Sequence, residues 1–195
     1  MKLDDYRDMR DLQRSGEPDD GATDGEESEP IFVVQEHHAS SLHYDFRLEH
    51  DGVLVSWAVP KGPSLDPAQK RLAVKVEDHP RSYADFEGII PEGEYGAGTV
   101  LVWDRGNYEA ETDVAAGLED GRLEVELVGQ KLRGGWALVK FGDPEEDNWL
   151  LVKKDDEYAN REGDILDEEP ESVISGLTAE EIAEKDDTTA AGEEE

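Results

Sequence analysis

The chain has 195 residues, of which 51 are Asp or Glu and 19 are Lys or Arg, so its formal net charge is −32. This charge excludes attachment to nucleic acid or to an anionic membrane by bulk electrostatic attraction. The absence of Cys excludes disulfides, a thiol nucleophile and Cys-ligated zinc. No apolar run reaches the roughly 20 residues of a membrane-spanning helix, and the first residues lack the apolar stretch of a secretory signal. We therefore expect a cytoplasmic protein that does not contact a membrane.

The negative charge is concentrated at the two ends of the chain. Residues 1–30 contain 11 acidic and 4 basic residues, and residues 143–195 contain 21 and 4. The segment 36–83 is nearly neutral. An acidic, Lys-poor surface is typical of proteins that work in molar salt, where the Debye length is about 3 Å and repulsion from DNA phosphate is screened. Disordered acidic tails would explain the ends but not the Lys-poor middle, so we favour a halophilic protein of haloarchaeal type.

The N-terminal residues 1–30 are expected to form an acidic segment with a short helix over 3–14. The remainder, 15–30, is rich in Gly, Pro, Ser and acidic residues without periodicity, which is typical of a linker.

The middle of the chain, residues 31–158, is expected to form one β domain. Short β-type runs separated by turn residues occur at 31–36, 42–50, 53–59, 72–78, 98–104, 122–128, 135–141 and 148–154. About eight strands with few helices indicate a mainly β fold, a compact β-barrel with short flanking helices.

The C-terminal residues are expected to form two further segments. Residues 159–186 form an extension with a short helix over 178–185, where Thr178 and Glu181 have capping-box spacing. Residues 187–195 are expected to form a disordered acidic tail.

One predicted hairpin carries most of the chemistry. Alternate residues of the segment 42–48 are apolar, and the residues between them, which share the opposite face, are His43, Asp45 and Arg47. A two-residue turn at Asp51-Gly52 would pair 50 with 53, 48 with 55, 46 with 57 and 44 with 59. Small side chains on the partner strand would then lie opposite the polar face and leave open space beside it.

The polar face of this hairpin is a candidate metal site. His43 and Asp45 project in parallel, and His37 or, less favourably, His38 can supply a third ligand from the preceding residues, whereas His50 flanks the turn. Two imidazoles and a carboxylate suit Mn²⁺, Fe²⁺ or Zn²⁺ with positions left for water and substrate. From the spacing alone, an exposed polar strand face on which His43 bonds Asp45 is equally well supported.

Several cations and polar groups in the same part of the chain favour phosphate chemistry. Arg47 shares the ligand face, and Lys61, Arg71 and His79 follow in the nearly neutral segment. A metal with Arg, Lys and His is suited to stabilising a phosphoryl-transfer transition state. Each has an ordinary structural explanation as well, and Tyr83 is equally explained as a core residue.

These residues lie within two runs, FVVQEHHASSLHYDFRLEHDGVLVSWAVPKGPS and RLAVKVEDHPRSYADFEGIIPEGEYGAGTVLVWDRGNYE. The runs closely resemble the 3′-phosphoesterase module of DNA ligase D, an enzyme of nonhomologous end joining. The resemblance extends from Ile31 to Tyr158, and SVISGLTAEEIAE resembles the C-terminal extension of the family. It implies a compact β-barrel flanked by short helices.

The resemblance also implies a set of site residues. The implied metal ligands, with Mn²⁺ as the expected ion, are His37, His43 and Asp45. The residues expected to contact the scissile phosphate and stabilise the transition state are Arg47 and His79. Further residues expected to line the site are Gln35, Lys61, Arg71 and Tyr83.

The activity implied by the resemblance is metal-dependent trimming of DNA 3′ ends. A terminal ribonucleoside is removed to leave a 3′-phosphate, which is then hydrolysed to a 3′-OH that a ligase can seal. The sequence contains no ligase lysine motif and no polymerase module. We therefore expect a stand-alone, monomeric enzyme that works with a separate DNA ligase or polymerase.

Two other functions remain open from the residues alone. A non-haem Fe(II) oxygenase would use His43-x-Asp45 with His79, an arrangement that also occurs on β-barrels, but it leaves His37 and the cations unexplained. A non-catalytic repair scaffold would use the acidic ends of the chain to recruit a ligase.

Overall fold

The computed structural model describes residues 3–18, 29–143 and 145–190. Its strands are β1 (Ile31–His38), β2 (Leu42–His50), β3 (Val53–Val59), β4 (Arg71–Lys75), β5 (His79–Pro80), β6 (Gly88–Ile90), β7 (Gly98–Ala110), β8 (Arg122–Gly129), β9 (Arg133–Lys140) and β10 (Asn148–Lys153). Residues 19–28 of the predicted linker and residues 191–195 of the predicted tail lie outside the described residues.

Eight of these strands form a closed antiparallel barrel. Their order is β1-β2-β3-β4-β10-β9-β8-β7, and the pairing of β7 with β1 closes the barrel. This confirms the predicted fold. The remaining two strands extend its wall, β5 beside β3 and β6 beside β7. They have two and three residues, which is too short for an alternating pattern to reveal them in the sequence.

Short helices flank the barrel: α1 (Leu3–Asp8), α2 (Leu12–Ser15), α3 (Val114–Asp120), α4 (Ile165–Glu168) and α5 (Ala179–Ala190), together with a 3₁₀ helix over Arg81–Asp85. The segment expected to form one helix over 3–14 forms α1 and α2. The capping box before α5 is present, since the Thr178 N–H donates to Glu181 at 2.9 Å. α3, α4 and the 3₁₀ helix are too short to show a helical period in the sequence.

Helix α5 continues to Ala190, which places its end within the segment expected to be a disordered tail. None of the helices in the described residues is long and apolar enough to span a membrane.

The β2–β3 hairpin has the predicted register. Asp51 and Gly52 form its turn with φ angles of 50° and 77°, the left-handed conformation that a type I′ turn requires. The pairs along the hairpin include His50–Val53, Arg47–Ser56 and Asp45–Ala58. The polar face of β2 therefore lies beside small residues of β3, as the sequence predicts.

Two hydrophobic clusters lie on opposite sides of the wall formed by β1, β2 and β3. The larger cluster fills the barrel and includes Phe46 and Trp57. The smaller cluster lies against the outer face and consists of Tyr6, Val33, Leu54, Tyr83, Ala84 and Val102. This outer cluster holds α1 and the 3₁₀ helix against the barrel, beside the polar face of β2.

Candidate active site

A cavity of about 300 Å³ lies on the outer face of the β1–β2–β3 wall. The strands form its floor, and the N-terminal segment, the 3₁₀ helix and the loop 91–97 form its sides. Its lining includes the charged and titratable side chains of Arg10, His37, His43, Asp45, Arg47 and His79. A concave site that collects such groups is the usual setting for catalysis.

Three potential metal ligands meet in this cavity. His37 and His43 pair directly across β1 and β2, and Asp45 lies two residues further along β2 on the same face. One ligand atom of each residue lies within 4.8 Å of the others. His37 Nδ1 and His43 Nε2 are each 3.7 Å from an Asp45 carboxylate oxygen. The pairing of β1 with β2 therefore brings His37 to the His43-x-Asp45 pair.

Backbone carbonyl groups hold the outer nitrogens of both imidazoles. His37 Nε2 lies 2.7 Å from the Gly96 carbonyl oxygen, and His43 Nδ1 lies 3.1 Å from that of Ser41. The other nitrogen of each ring is directed at Asp45, and a second ring nitrogen held by a carbonyl group is the usual arrangement of a metal-bound imidazole. Two imidazoles and a carboxylate oriented in this way fit a divalent transition metal.

The other two His residues of the hairpin region lie apart from these ligands. His38 is on the opposite face of β1 from His37 and bonds to Glu36. His50 lies beside the turn, with its Nε2 3.4 Å from Asp51. The alternation of side chains along β1 therefore selects His37 over His38 as the third ligand.

Arg47 contributes to the charge state of Asp45, the candidate carboxylate ligand. Its Nη2 donates to Asp45 Oδ2 at 3.0 Å. Burial alone would raise the pKa of Asp45, but the charge of Arg47 and the contacts with His37 and His43 outweigh burial and hold this pKa well below its usual range. Asp45 is therefore ionised at neutral pH, as a metal ligand must be.

Neighbouring side chains fix the Arg47 guanidinium in one orientation. Its Nε donates to Gln35 at 2.8 Å, and its Nη1 donates to Ser56 at 2.9 Å and lies 3.0 Å from His79 Nδ1. Its Cζ lies 5.0 Å from the centre of the Tyr83 ring. The side chain is only 2% exposed. The cation is thus held rigidly beside the three ligands.

His79, on β5, lies behind Arg47. Its Nδ1 is 3.0 Å from the Glu77 carbonyl oxygen as well as from Arg47, and its Nε2 is 3.4 Å from Arg10 Nη2. Burial lowers the pKa of His79 well below 6.5, and the charges of Arg47 and Arg10 lower it further. The imidazole is therefore neutral at neutral pH.

Sequence reasoning missed several residues of the cavity, among them Arg10, Glu77 and Tyr95. Arg10 Nη2 donates to Glu77 at 2.9 Å, and its Nε donates to Glu17 at 3.0 Å. Its Cζ lies 4.3 Å from the Tyr6 ring and 4.9 Å from the Tyr95 ring. Arg10 is one of few bases in an acidic segment, which is a weak signal, and no spacing relates it to Glu77.

Comparison with known proteins gives this arrangement its context. The model of the DNA ligase D 3′-phosphoesterase domain matches residues 35–140, which include all three candidate ligands. The chain belongs to this family.

Relatives of the phosphoesterase family carry the same segment within longer proteins. The multifunctional non-homologous end joining protein LigD of Pseudomonas aeruginosa is 51% identical over 181 residues, which are 90% of this chain and 21% of that protein. The protein of the same name from Mycolicibacterium smegmatis is 44% identical over 170 residues, 84% of this chain and 22% of its own length. The chain thus spans about a fifth of the length of these relatives.

Two further residues implied by the resemblance adjoin Arg47. The Tyr83 ring lies next to the guanidinium and lines the cavity. Gln35 accepts from Arg47 and donates from Nε2 to the carbonyl oxygens of Tyr83 and Phe86, both at 3.0 Å. Gln35 therefore ties strand β1 to the 3₁₀ helix that bears Tyr83.

Lys61 and Arg71, also expected to line the site, are not among the residues around this cavity. Lys61 is exposed in the turn that follows β3. Arg71 lies on the face of β4 that carries Ala73, and Ala73 packs in the barrel interior. Alternation along β4 thus directs Arg71 away from the outer face on which the phosphoesterase family residues meet.

The oxygenase hypothesis requires His79 to complete a ligand set with His43 and Asp45. In the structure, His37 lies next to His43 and Asp45 as the third potential ligand, and His79 lies against Arg47. This geometry and the membership of a phosphoesterase family favour phosphate chemistry over oxygen activation.

Proposed function

We propose that this chain is a divalent-metal-dependent phosphoesterase that processes the 3′ ends of DNA, with Mn²⁺ as the preferred ion. It would remove a 3′-terminal ribonucleoside, leaving a 3′-phosphate, and then hydrolyse that phosphate to a 3′-OH. The observation that carries the proposal is the convergence of His37, His43 and Asp45 within 4.8 Å, beside the guanidinium of Arg47. A metal held by these ligands would supply Lewis-acid stabilisation of a phosphate oxygen and lower the pKa of a bound water.

Arg47 would bind and orient the phosphate. Negative charge on the non-bridging oxygens of a phosphoryl group must be offset in the transition state, and a cation already fixed in place offsets it without reorganisation. The hydrogen bonds that Arg47 donates to Gln35, Ser56 and Asp45 fix the guanidinium in one orientation. Four of its five N–H groups face Gln35, Ser56, His79 and Asp45, so one Nη2–H remains to donate to a phosphate oxygen.

Two uncharged groups beside Arg47 would complete the phosphate site. Burial raises the pKa of Tyr83 well above 10, although Arg47 opposes the shift. The phenol therefore keeps its proton and remains a hydrogen-bond donor. His79 is neutral, so its Nδ1 can accept a hydrogen bond from Arg47 Nη1 and position the guanidinium.

The family membership supports DNA ends as the substrate. We expect the enzyme to act in the cytoplasm as a monomer, with a DNA ligase or polymerase as its functional partner. Because the chain carries a formal charge of −32, we expect binding of DNA to require enough salt to screen repulsion between the two.

A primer-template with one 3′-terminal ribonucleotide tests the proposal. With MnCl₂, assayed at low and at molar KCl, the wild type should form first the 3′-phosphate and then the 3′-OH product. His43→Ala and Asp45→Ala should abolish both steps, and His50→Ala, outside the cavity, should retain them. A folded wild type that forms no product with any divalent metal, or full activity in both ligand variants, would contradict the proposal. A folded wild type that forms no product but binds a DNA ligase would favour the scaffold hypothesis.

A further inference from the structure

Tyr95 is a half-exposed aromatic residue of the active-site cavity. It lines the cavity, yet 50% of its surface is exposed. Aromatic rings contribute most to folding when they are buried. A half-exposed ring beside potential metal ligands therefore presents a surface that the folded chain itself does not use.

The loop 91–97, which bears Tyr95, is fixed to the site on two sides. The Gly96 carbonyl oxygen lies 2.7 Å from His37 Nε2. On the other side, Glu94 forms a 3.1 Å ion pair with Arg14 of the N-terminal segment. Gly96 has a φ of 77°, and a Cβ there would lie 3.4 Å from the His37 ring. This positive φ favours glycine, so Gly96 lets the loop turn beside His37 and places Tyr95 next to it.

Arg10 supports the Tyr95 ring from one side. Its Cζ lies 4.9 Å from the ring centre, within the range of a cation–π contact. Arg10 is itself held by Glu17 and Glu77 and packs on Tyr6. The ring is therefore supported by a fixed cation, while the rest of its surface remains exposed at the cavity.

We infer that Tyr95 stacks on the base of the 3′-terminal nucleoside, the group that leaves when the phosphodiester is hydrolysed. The inference rests on the proposed function, because it places the scissile phosphate between Arg47 and the three candidate ligands. The cavity continues from those ligands to Tyr95, so a nucleoside attached to that phosphate can extend to the ring. Stacking on an aromatic side chain accepts any base, because every base has a π face.

This placement predicts that Tyr95 contributes to only one of the two reactions of the proposed enzyme. A 3′-ribonucleotide end carries a nucleoside beyond the scissile phosphate, and that nucleoside reaches Tyr95. A 3′-phosphate end carries nothing beyond the phosphate. Tyr95 therefore contributes to removal of the nucleoside and not to removal of the phosphate.

Three primer-templates test the inference with the full chain and MnCl₂. They end in a normal ribonucleotide, in a ribose without a base, or in a 3′-phosphate. Tyr95→Ala should lower kcat/KM about tenfold on the first substrate, within the range measured for loss of one base–aromatic stack, and should leave the other two unchanged. Tyr95→Phe should retain the rate, because it retains the ring. Tyr158→Ala, at an exposed tyrosine outside the cavity, is the matched control.

Equal losses on all three substrates would overturn the inference, because Tyr95 would then act only by holding Arg10. An unchanged rate on the first substrate would overturn it as well.

A binding measurement separates this inference from the proposed function. A 2-aminopurine nucleoside at the 3′ end should lose fluorescence on saturation with the wild type or Tyr95→Phe in the presence of EDTA, and should keep it with Tyr95→Ala. If the wild type hydrolyses none of the substrates but still quenches the base, the hydrolytic proposal fails and the stacking stands. If it hydrolyses them without Tyr95-dependent quenching, the stacking fails and the hydrolytic proposal stands.

Discussion

Arg47 and Asp45 lie two residues apart on one strand, and the Arg47 guanidinium donates to the Asp45 carboxylate at 3.0 Å. Both side chains are almost fully buried. The pair joins the cation proposed to bind phosphate to a candidate metal ligand, so the position of each group depends on the other. It also helps to keep the carboxylate ionised, since Arg47 together with His37 and His43 outweighs the effect of burial on the pKa of Asp45.

Replacement of Arg47 by Lys should impair catalysis. A lysine ammonium is a compact charge that cannot reproduce the planar contacts with Gln35, Ser56 and Asp45. We expect kcat/KM on a 3′-phosphate end to fall about 10²- to 10³-fold, as for loss of one preorganised donor to a transition state. Steady-state kinetics with MnCl₂ would measure this.

The matched control for Arg47 is Arg81→Lys. Arg81 forms a 2.7 Å ion pair with Glu49 and does not line the cavity, so its replacement should change the rate little. Near wild-type activity of Arg47→Lys would show that charge alone, without the guanidinium geometry, is sufficient.

Removal of the Arg10 side chain should also lower activity. Arg10→Ala leaves the carboxylates of Glu17 and Glu77 without their shared cation, and the added negative charge near the site repels phosphate. We expect kcat/KM to fall about tenfold, which corresponds to about 1.4 kcal/mol of lost transition-state stabilisation. Arg10→Lys should restore part of the loss.

Arg161→Ala is the control for the loss of a basic residue, because Arg161 pairs with Asp155 at an exposed position. Equal kinetics of Arg10→Ala and Arg161→Ala would show that the N-terminal segment does not contribute to the site.

His79 should make stability fall in mildly acidic solution. Its pKa is lowered in the folded state, so below about pH 6.5 the unfolded chain binds a proton that the folded chain does not. Between about pH 7.5 and 5.5 this group alone should remove about 1.4 kcal/mol from the free energy of unfolding. Urea unfolding in EDTA at the two pH values would measure the loss.

Comparison of variants isolates the His79 contribution. His79→Gln should lose that part of the pH dependence, and His50→Gln should keep it. The same pH dependence in His79→Gln and in the wild type would show that the pKa of His79 is the same in the folded and the unfolded chain.

The buried ammonium of Lys153 should depend on Asp156. Its Nζ lies 2.6 Å from both Asp156 carboxylate oxygens and donates to the Gly135 carbonyl oxygen at 3.0 Å. Asp156→Asn should lower the free energy of unfolding by about 2 kcal/mol, because it removes a charge-assisted hydrogen bond from a buried cation. Activity per folded molecule should not change.

Asp155→Asn provides the comparison for Asp156. Asp155 forms an exposed ion pair with Arg161, and such pairs contribute about 0–1 kcal/mol. Equal stabilities of the two variants, measured by urea unfolding, would show that Lys153 finds other partners.

The sequence by itself determined the barrel and one face of the site. Alternation in the segment 42–48 assigned His43, Asp45 and Arg47 to one side of a strand, and the Asp51-Gly52 turn set the register of the hairpin. These features depend on residues close together in the chain. Local geometry with a period of two therefore sufficed to predict them.

The tertiary structure alone decided which distant residues join that face. Closure of the barrel and the packing of the N-terminal segment bring Arg10 to Glu77, 67 residues away in sequence. A two-residue strand places His79 against Arg47. Such contacts form only when the chain folds as a whole, because no local periodicity relates positions so far apart in the sequence.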